Sequence, residues 1–219
     1  MKKTLSLLLA LVLVLGSFTS VFAAMPETDV EVAELLQELG ILLGNASGDL
    51  MLDKDLKRAE AVVLLSRLMK AEDTAKKFSV DDLPFDDIAS ELYQHYIAWA
   101  YANGYAAGKS ATKFDPEGDL TAQQFATFLL RALGYEIDAK AYKNAFETAK
   151  ELGLFEGLNL GKETVLKRKH MARMTFNALY VPMKDSEVTL GEFLELELPQ
   201  EEPEVPATLE AEVVADNLK

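Results

Sequence analysis

The sequence predicts an all-α protein of three helix–loop–helix repeats followed by an acidic tail. The first indication is a Gly-x-x-x-Gly corner that occurs three times, in ELGILLG, ANGYAAG and ELGLFEG. The second is that each corner precedes a polar loop and then a segment with apolar residues at helical spacing. The third is the length of that loop. From the corner to the leucine that opens the next segment is 12 positions in the first two repeats and 9 in the third.

Repeat 1 is predicted at residues 25–80. Valine and leucine recur at i, i+3 and i+4 over residues 29–39, which is typical of an amphipathic helix. Gly40 follows, and glycine is the residue that best tolerates the left-handed conformation just past a helix. A polar loop at residues 45–55 separates this helix from a second one at residues 56–69.

Repeats 2 and 3 follow the same order at residues 81–138 and 139–182. Their helices are predicted at residues 88–103 and 122–133 in repeat 2, and at residues 142–152 and 167–179 in repeat 3. Pro182 closes the last helix because proline lacks the N–H donor and clashes with the preceding turn. One helix–loop–helix unit cannot bury both faces of its helices, so we expect the three repeats to share a core.

The two ends of the chain have a different composition. Residues 1–24 combine two lysines, an apolar run and small residues, which predicts a secretory signal peptide cleaved after Ala23 or Ala24. A membrane anchor is the alternative, but the run is shorter than the ~20 residues that a span needs. Residues 183–219 hold eleven acidic residues and two lysines, and we interpret them as an acidic Pro/Glu linker or the start of a further region.

Charge and composition exclude several classes of partner and site. The net charge of −14 argues against nucleic acid or an anionic membrane as partner. Cysteine is absent, and His95 and His170 lie far apart on separate predicted helices, so no metal or cofactor is expected. The loop at residues 115–119 lacks the glycine and glutamate positions of an EF-hand. Because no catalytic pattern is evident either, the protein is not expected to be an enzyme.

Residues 84–135 resemble one repeat of the bacterial S-layer homology family. The matching motifs are FDDI at 85–88, WA at 99–100, GYAAG at 104–108, FDP at 114–116, LT at 120–121 and LGY at 133–135. Arg58-Ala59-Glu60 is similar to the family's Thr-Arg-Ala-Glu motif, and Arg168 occupies the same place in repeat 3. The resemblance covers roughly residues 30–182 and is strongest in repeat 2.

This resemblance implies both a fold and a function. Family members usually contain three repeats that pack as a pseudo-threefold helical spindle. They bind secondary cell-wall polysaccharide, often through anionic, pyruvylated amino sugars, and so fasten exported proteins to the bacterial surface. The partners that it implies are that polysaccharide and further copies of the protein in a surface layer, and the implied location is the cell wall.

Arg58 and Arg168 are the first candidate ligand-binding residues. Each lies in the first turn of a predicted helix, where a cation opposes the helix dipole by ~0.3–1 kcal/mol. Lys57 precedes Arg58, and cations beside free helix N–H groups suit an anion. A guanidinium also matches a carboxylate in bidentate geometry. The alternative is that each arginine bridges to an Asp or Glu of a neighbouring repeat.

Repeat 2 departs from this pattern because Ala122 stands where the arginine would be. Thr121 and Gln124 instead form a capping box. We therefore expect repeat 2 to be structurally sound. The groove that would use an arginine at position 122 is expected to be weakened or inactive.

The remaining candidates each have a structural alternative. Asp86 and Asp87 are candidates to contact sugar hydroxyls, or they cap the helix that follows. Trp99 is a candidate to stack on a sugar ring, or it belongs to the core. Gly44 and Gly108 admit a ligand close to the backbone, or they only permit a tight corner.

The leading hypothesis is a non-catalytic cell-surface anchoring module that binds wall polysaccharide. A second hypothesis is an exported structural or protein-interaction domain that keeps the fold without the sugar site. An extracellular hydrolase is a third, and it would require a catalytic region beyond Lys219.

Overall fold

Residues 25–200 are described by a computed structural model, and the regular structure of this part is helical, without a strand. The all-α class is therefore confirmed there, whereas the predicted signal peptide and the end of the acidic tail lie outside the described residues. The helices are α1 (Asp29–Glu38), α2 (Arg58–Leu68), α3 (Glu72–Ala75), α4 (Glu91–Ala102), α5 (Ala122–Ala132), a 3₁₀ helix (Ala141–Asn144), α6 (Ala145–Glu151), α7 (Arg168–Leu179) and α8 (Leu190–Phe193). Among them, none is long and apolar enough to span a bilayer.

The helix ends follow local capping chemistry. Helix α4 begins three residues later than the predicted start at Ile88, because the Ser90 hydroxyl accepts the Tyr93 N–H and so caps the helix at that point. Gly40, Gly104 and Gly153 have φ angles of 72°, 73° and 82°, which is the left-handed conformation expected just past each repeat's first helix.

The helices pair between repeats rather than within them. The second helix of repeat 1, α2, packs on α4 of repeat 2, and α5 of repeat 2 packs on α6 of repeat 3. The last second helix, α7, packs on α1 at the start of the chain. On α7, Arg173 donates hydrogen bonds to the Asp29 carboxylate and to the Pro26 and Glu27 carbonyls. The three pairs therefore close within one chain.

Three leucines at equivalent repeat positions join the repeats through a ring of backbone hydrogen bonds. The N–H of Leu56 donates to Leu166 O at 2.8 Å, the N–H of Leu166 to Leu120 O at 2.9 Å, and the N–H of Leu120 to Leu56 O at 3.1 Å. All three side chains are fully buried. Each repeat thus donates one bond of the ring and accepts another.

The same cyclic order satisfies the starts of the second helices. The first N–H groups of a helix have no partner within that helix. Here the first two donate to loop carbonyls of another repeat: Arg58 to Gly118, Ala59 to Pro116, Ala122 to Thr164, Gln123 to Lys162, Arg168 to Lys54 and Lys169 to Leu52. Each second helix therefore starts on the loop of another repeat.

The compact unit Pro26–Glu197 continues past the boundary expected at Pro182. The N–H of Lys184 donates to Leu133 O, and that of Leu190 donates to Val181 O. Leu190 and Leu194 are buried. The first part of residues 183–219, expected to be an acidic linker or the start of a further region, is thus packed on the helices through its buried leucines.

The leucine ring should be sensitive to cavity formation. Truncating a fully buried leucine removes apolar contacts and leaves a void, so Leu120→Ala should lower the free energy of unfolding by about 2–5 kcal/mol. The matched control is Leu92→Ala on α4, where the side chain is 54% exposed and the change should stay within about 0.5 kcal/mol. Urea unfolding followed by circular dichroism measures both, and equal losses would contradict the role given to the ring.

Candidate functional site

A cavity of about 390 Å³ lies where the three repeats meet around the start of α2. Repeat 1 contributes Arg58, and repeat 2 contributes its corner and the face of α5 that carries Gln124, Thr127, Phe128 and Arg131. The connection to repeat 3 forms the remaining wall. The cavity is also lined by Lys109, Asp138 and Tyr142.

Arg58 is a buried cation at the wall of this cavity. Its side chain is 5% exposed, and its Nη2 donates to the Ala107 carbonyl at 2.7 Å. The guanidinium carbon lies 4.7 Å from the centre of the Phe114 ring and 5.1 Å from that of Phe128, a cation–π arrangement. Burial lowers the pKa of Arg58 to about 10. The buried Nε of Arg58 has no hydrogen-bond partner, and among the described residues no carboxylate forms an ion pair with Arg58.

Arg168 reaches the equivalent corner of repeat 1 but is more fully satisfied. Its Nη2 donates to Leu43 O at 2.9 Å and its Nε donates to Leu50 O at 2.8 Å. Burial lowers its pKa. Both arginines therefore bridge repeats through backbone carbonyls, and the expected alternative of bridging to an acidic side chain is wrong. They differ in that the buried Nε of Arg58 has no partner, whereas the Nε of Arg168 donates to Leu50 O.

The sequence suggested that the cations near the helix starts lie beside free N–H groups, but in the structure they do not. Those N–H groups are occupied by the loop carbonyls of another repeat. Lys57 forms an ion pair with Asp119 at 2.6 Å, and Lys169 forms one with Asp53 at 2.7 Å. The helix starts are therefore inter-repeat contacts, and the dipole argument for an anion there does not hold.

Asp86 and Asp87 do not cap α4, since Ser90 does so, and the capping interpretation is wrong. Asp86 is exposed and pairs with Lys113. The Asp87 carboxylate accepts the backbone N–H groups of Phe114 at 2.9 Å and Asp115 at 2.8 Å. Partial burial alone would raise the pKa of Asp87, but these backbone donors outweigh it and lower the pKa below its ordinary value. Asp87 therefore holds the polar loop that carries Phe114 against Arg58.

Trp99, Gly44 and Gly108 have packing roles. Trp99 is 4% exposed, and its ring lies 5.2 Å from that of Tyr105, so it belongs to the core. A Cβ at Gly44 would come within 2.7 Å of Gly48 backbone atoms. A Cβ at Gly108 would come within 2.4 Å of the Phe85 ring. Both glycines thus permit close packing of the chain on itself, although Gly108 also lines the cavity.

In the junction where Ala122 replaces the arginine, the corner carbonyl of repeat 3 accepts a different donor. The carbonyl before Gly157 belongs to Glu156 and corresponds in sequence to those of Ala107 and Leu43, which accept arginines. Here it accepts the Asn177 side-chain amide of α7 at 2.9 Å. An amide from repeat 3 itself therefore occupies the acceptor that an inter-repeat arginine uses elsewhere.

Sequence reasoning did not identify Gln124, Arg131 and Tyr142 as part of a site. Gln124 was assigned only to the capping box, and it does accept the Thr121 N–H at 3.3 Å. Its contribution to the cavity depends on how α5 faces Arg58 across a repeat boundary. Arg131 could have been found by comparing equivalent positions of the repeats, since it corresponds to Arg67 in repeat 1.

The anchoring of the repeat 2 loop by Asp87 should depend on pH. Removing a charged acceptor of two backbone N–H groups in Asp87→Ala should cost about 1.5–3 kcal/mol at neutral pH. Because the folded-state pKa is lowered, this stabilisation is present above the unfolded value near 4 and is lost as the pH falls through the folded pKa. Urea unfolding at pH 7 and at low pH measures it. Asp86→Ala, which breaks only an exposed ion pair, should cost less than about 1 kcal/mol at either pH.

The corner of repeat 2 should not tolerate a side chain. In Gly108→Ala the new methyl meets the Phe85 ring and the Ser110 carbonyl at 2.5 Å, so we expect a loss of about 1–3 kcal/mol in thermal or urea unfolding. Gly161→Ala is the control, because the nearest atom there lies at 3.6 Å. Equal stability of the two variants would contradict the close approach at the corner.

The chain is similar to several bacterial surface proteins. It is 32% identical over 201 residues to a "Cell surface protein" of Thermoanaerobacter kivui, covering 83% of this chain and 26% of that protein. It is 25% identical over 213 residues to a "Middle cell wall protein" of Brevibacillus brevis, covering 92% and 20%. It is 26% identical over 169 residues to a "Surface layer protein" of Brevibacillus choshinensis, covering 73% and 15%.

These relatives are much longer proteins, of which the chain spans about a quarter or less. The chain is also 27% identical over 150 residues to an "Endoglucanase" of a Bacillus strain. That match covers 61% of this chain and 15% of that protein. No model of a known protein family matches the chain. Over most of its length, the chain is thus similar to bacterial proteins named for the cell surface, the cell wall and the surface layer.

Proposed function

We propose that this protein acts at the bacterial cell surface as a non-catalytic anchoring module that binds an anionic cell-wall polysaccharide noncovalently. The names of its relatives support the cell-surface role, and three of them are named as surface, cell-wall or surface-layer proteins rather than enzymes. The resemblance of residues 30–182 to S-layer homology repeats supports the polysaccharide as ligand. Association in a surface layer is consistent with the same relatives.

The observation that carries the proposal is the buried guanidinium of Arg58, which lines the cavity and forms no ion pair among the described residues. A buried guanidinium with an unpartnered Nε at the wall of a cavity is costly to leave unsatisfied. A carboxylate offers two oxygens to such a planar group and compensates its charge. A pyruvate ketal on an amino sugar presents a compact carboxylate of this kind. A ligand carboxylate in the cavity would then compensate the charge of the Arg58 guanidinium, which forms no ion pair among the described residues.

A second candidate function is a structural or protein-interaction domain without a sugar site. It is favoured by the way most of the cations at the starts of the second helices are already engaged. Arg168 donates to two backbone carbonyls, and Lys57 and Lys169 pair with aspartates. These contacts join repeats and need no ligand. This second function applies if Arg58, too, only joins repeat 1 to repeat 2 and binds no ligand.

Co-sedimentation with purified bacterial cell-wall sacculi tests the proposed function. Wild-type protein should sediment with intact walls and not with walls stripped of secondary polysaccharide. Arg58→Gln should reduce binding by at least about tenfold, because it removes the charge and the fork that the carboxylate needs. Lys184→Gln, on the exposed segment after Pro182, is the control and should bind as wild type does.

Thermal melting of Arg58→Gln must show a folded protein for this result to count. Should the variant unfold, Arg58→Lys keeps the charge, loses the planar fork and should still bind less tightly. Wild-type binding that persists on stripped walls would reject polysaccharide as the ligand and favour the second candidate function.

A further inference from the structure

We infer that His170 is a pH-sensitive cap of α7, and that its protonation in mild acid weakens the junction of repeat 3 with repeat 1. The imidazole accepts a backbone N–H at the start of this helix, and it can do so only in its neutral form. The switch belongs to the fold itself and is independent of any ligand.

Each second helix starts with the same local hydrogen bond. The third helical residue accepts, through its side chain, the N–H of the residue that precedes the helix. The three bonds run from Lys57 to the Glu60 carboxylate at 3.1 Å, from Thr121 to the Gln124 amide oxygen at 3.3 Å, and from Lys167 to Nδ1 of His170 at 3.2 Å. One bond of the repeat is thus made with three different acceptors.

The imidazole is the acceptor among these three that a proton abolishes. A carboxyl group and an amide keep an acceptor oxygen in every protonation state. A neutral imidazole has one acceptor nitrogen, whereas an imidazolium has none, because both ring nitrogens then carry a proton. Since Nδ1 of His170 accepts the Lys167 N–H, the proton of the neutral ring is on Nε2. Protonation at Nδ1 therefore removes the cap.

The capped N–H lies within the backbone run that joins repeat 3 to the other repeats. The N–H groups on either side of it donate outward, from Leu166 to Leu120 O, from Arg168 to Lys54 O and from Lys169 to Leu52 O. Lys167 alone among these four bonds within repeat 3. A proton on Nδ1 of His170 would point at the Lys167 N–H, so the two donors would have to separate in the middle of this run.

The surroundings of the half-buried imidazole disfavour a further positive charge. The charged groups that face it are Lys167 and Lys169 at the start of α7, Asp53 in the repeat 1 loop and Asp29 on α1. Both carboxylates are already paired, Asp53 with Lys169 at 2.7 Å and Asp29 with Arg173 at 3.3 Å. A cation in the first turn also opposes the helix dipole. Burial and, after it, Lys169 lower the pKa of His170 below its ordinary value of 6.5.

The sign of the pH dependence follows from this lowered pKa. The unfolded chain takes up a proton at His170 more readily than the folded chain, so proton uptake favours unfolding. The stabilisation by the cap is complete above the unfolded pKa, near 6.5. It is lost as the pH falls from that value through the folded pKa of His170. The loss therefore begins in mildly acid solution.

Thermal unfolding of the full chain at about pH 7.5 and about pH 5.5 tests the inference. Between these pH values, the midpoint of wild type should fall by about 2–4 °C more than that of His170→Gln. Glutamine supplies an acceptor that does not titrate, as Gln124 does in repeat 2. The variant should therefore fold, and at the higher pH its midpoint should match wild type within about 2 °C.

His95→Gln is the matched control, because His95 is the other histidine of the chain. Its Nδ1 lies 2.6 Å from the Phe78 carbonyl oxygen. A carbonyl only accepts, so this nitrogen donates in both charge states of the ring and the contact survives protonation. Whatever its midpoint at the higher pH, His95→Gln should show the same loss on acidification as wild type.

Amide hydrogen exchange in wild type locates the effect. Protection factors are corrected for the intrinsic pH dependence of exchange, so they report the hydrogen bond itself. Protection of the Lys167 N–H should fall by at least about threefold between the two pH values. The equivalent Thr121 N–H, which Gln124 holds, should change by less than about twofold.

The two measurements decide the inference together. A pH-dependent loss in wild type and His95→Gln that is reduced in His170→Gln, with protection lost at Lys167, supports it. An equal loss in wild type and His170→Gln would overturn it, and so would unchanged protection of the Lys167 N–H. Should His170→Gln fail to fold, the exchange of Lys167 against Thr121 in wild type decides alone.

Discussion

Backbone hydrogen bonds between repeats are the constraint on which the rest of the structure depends. Leu56, Leu120 and Leu166 donate to one another in a ring, and the first N–H groups of each second helix donate to another repeat's loop. A helix start that is buried without partners is costly, because its first N–H groups cannot bond within the helix. Each repeat therefore supplies what another lacks. The Arg58 cavity lies at one of these junctions, so the site is a consequence of the way in which the N–H groups at the helix starts find their acceptors.

Much of the fold follows from local sequence, but its assembly does not. The helices and the left-handed glycines were predictable because spacing and caps are read within a few residues. The pairing of α1 with α7 was not, since nothing local distinguishes it from pairing within a repeat. The site shows the same division. Arg58 was found from its motif, whereas Arg131 and Gln124 enter through the way in which α5 faces another repeat. Asp87 was misread as a helix cap because its partners, Phe114 and Asp115, lie far along the chain.

The three junctions have diverged in a physically consistent way. The corner carbonyl before each second glycine accepts Arg58 in one junction, Arg168 in another and Asn177 in the third. The acceptor is thus always satisfied, while the charge delivered to the groove varies. An arginine can leave one junction because an amide from α7 replaces the lost donor. The repeat preserves its hydrogen bonds more strictly than the electrostatics of its grooves.

The pairing of the first helix with the last also bears on biosynthesis. Because α1 packs on α7, the amphipathic helix that emerges first has no native partner until the chain has been made as far as Leu179. Helix α2 lacks the loop carbonyls that receive its first N–H groups until residue 118 has been made, and α5 lacks its own until residue 164. Contacts between distant parts of a chain also form slowly, since loop closure costs entropy before they are gained. A chain that ends before α7 therefore lacks both the packing partner of α1 and part of the hydrogen bonds that join the complete set of helices.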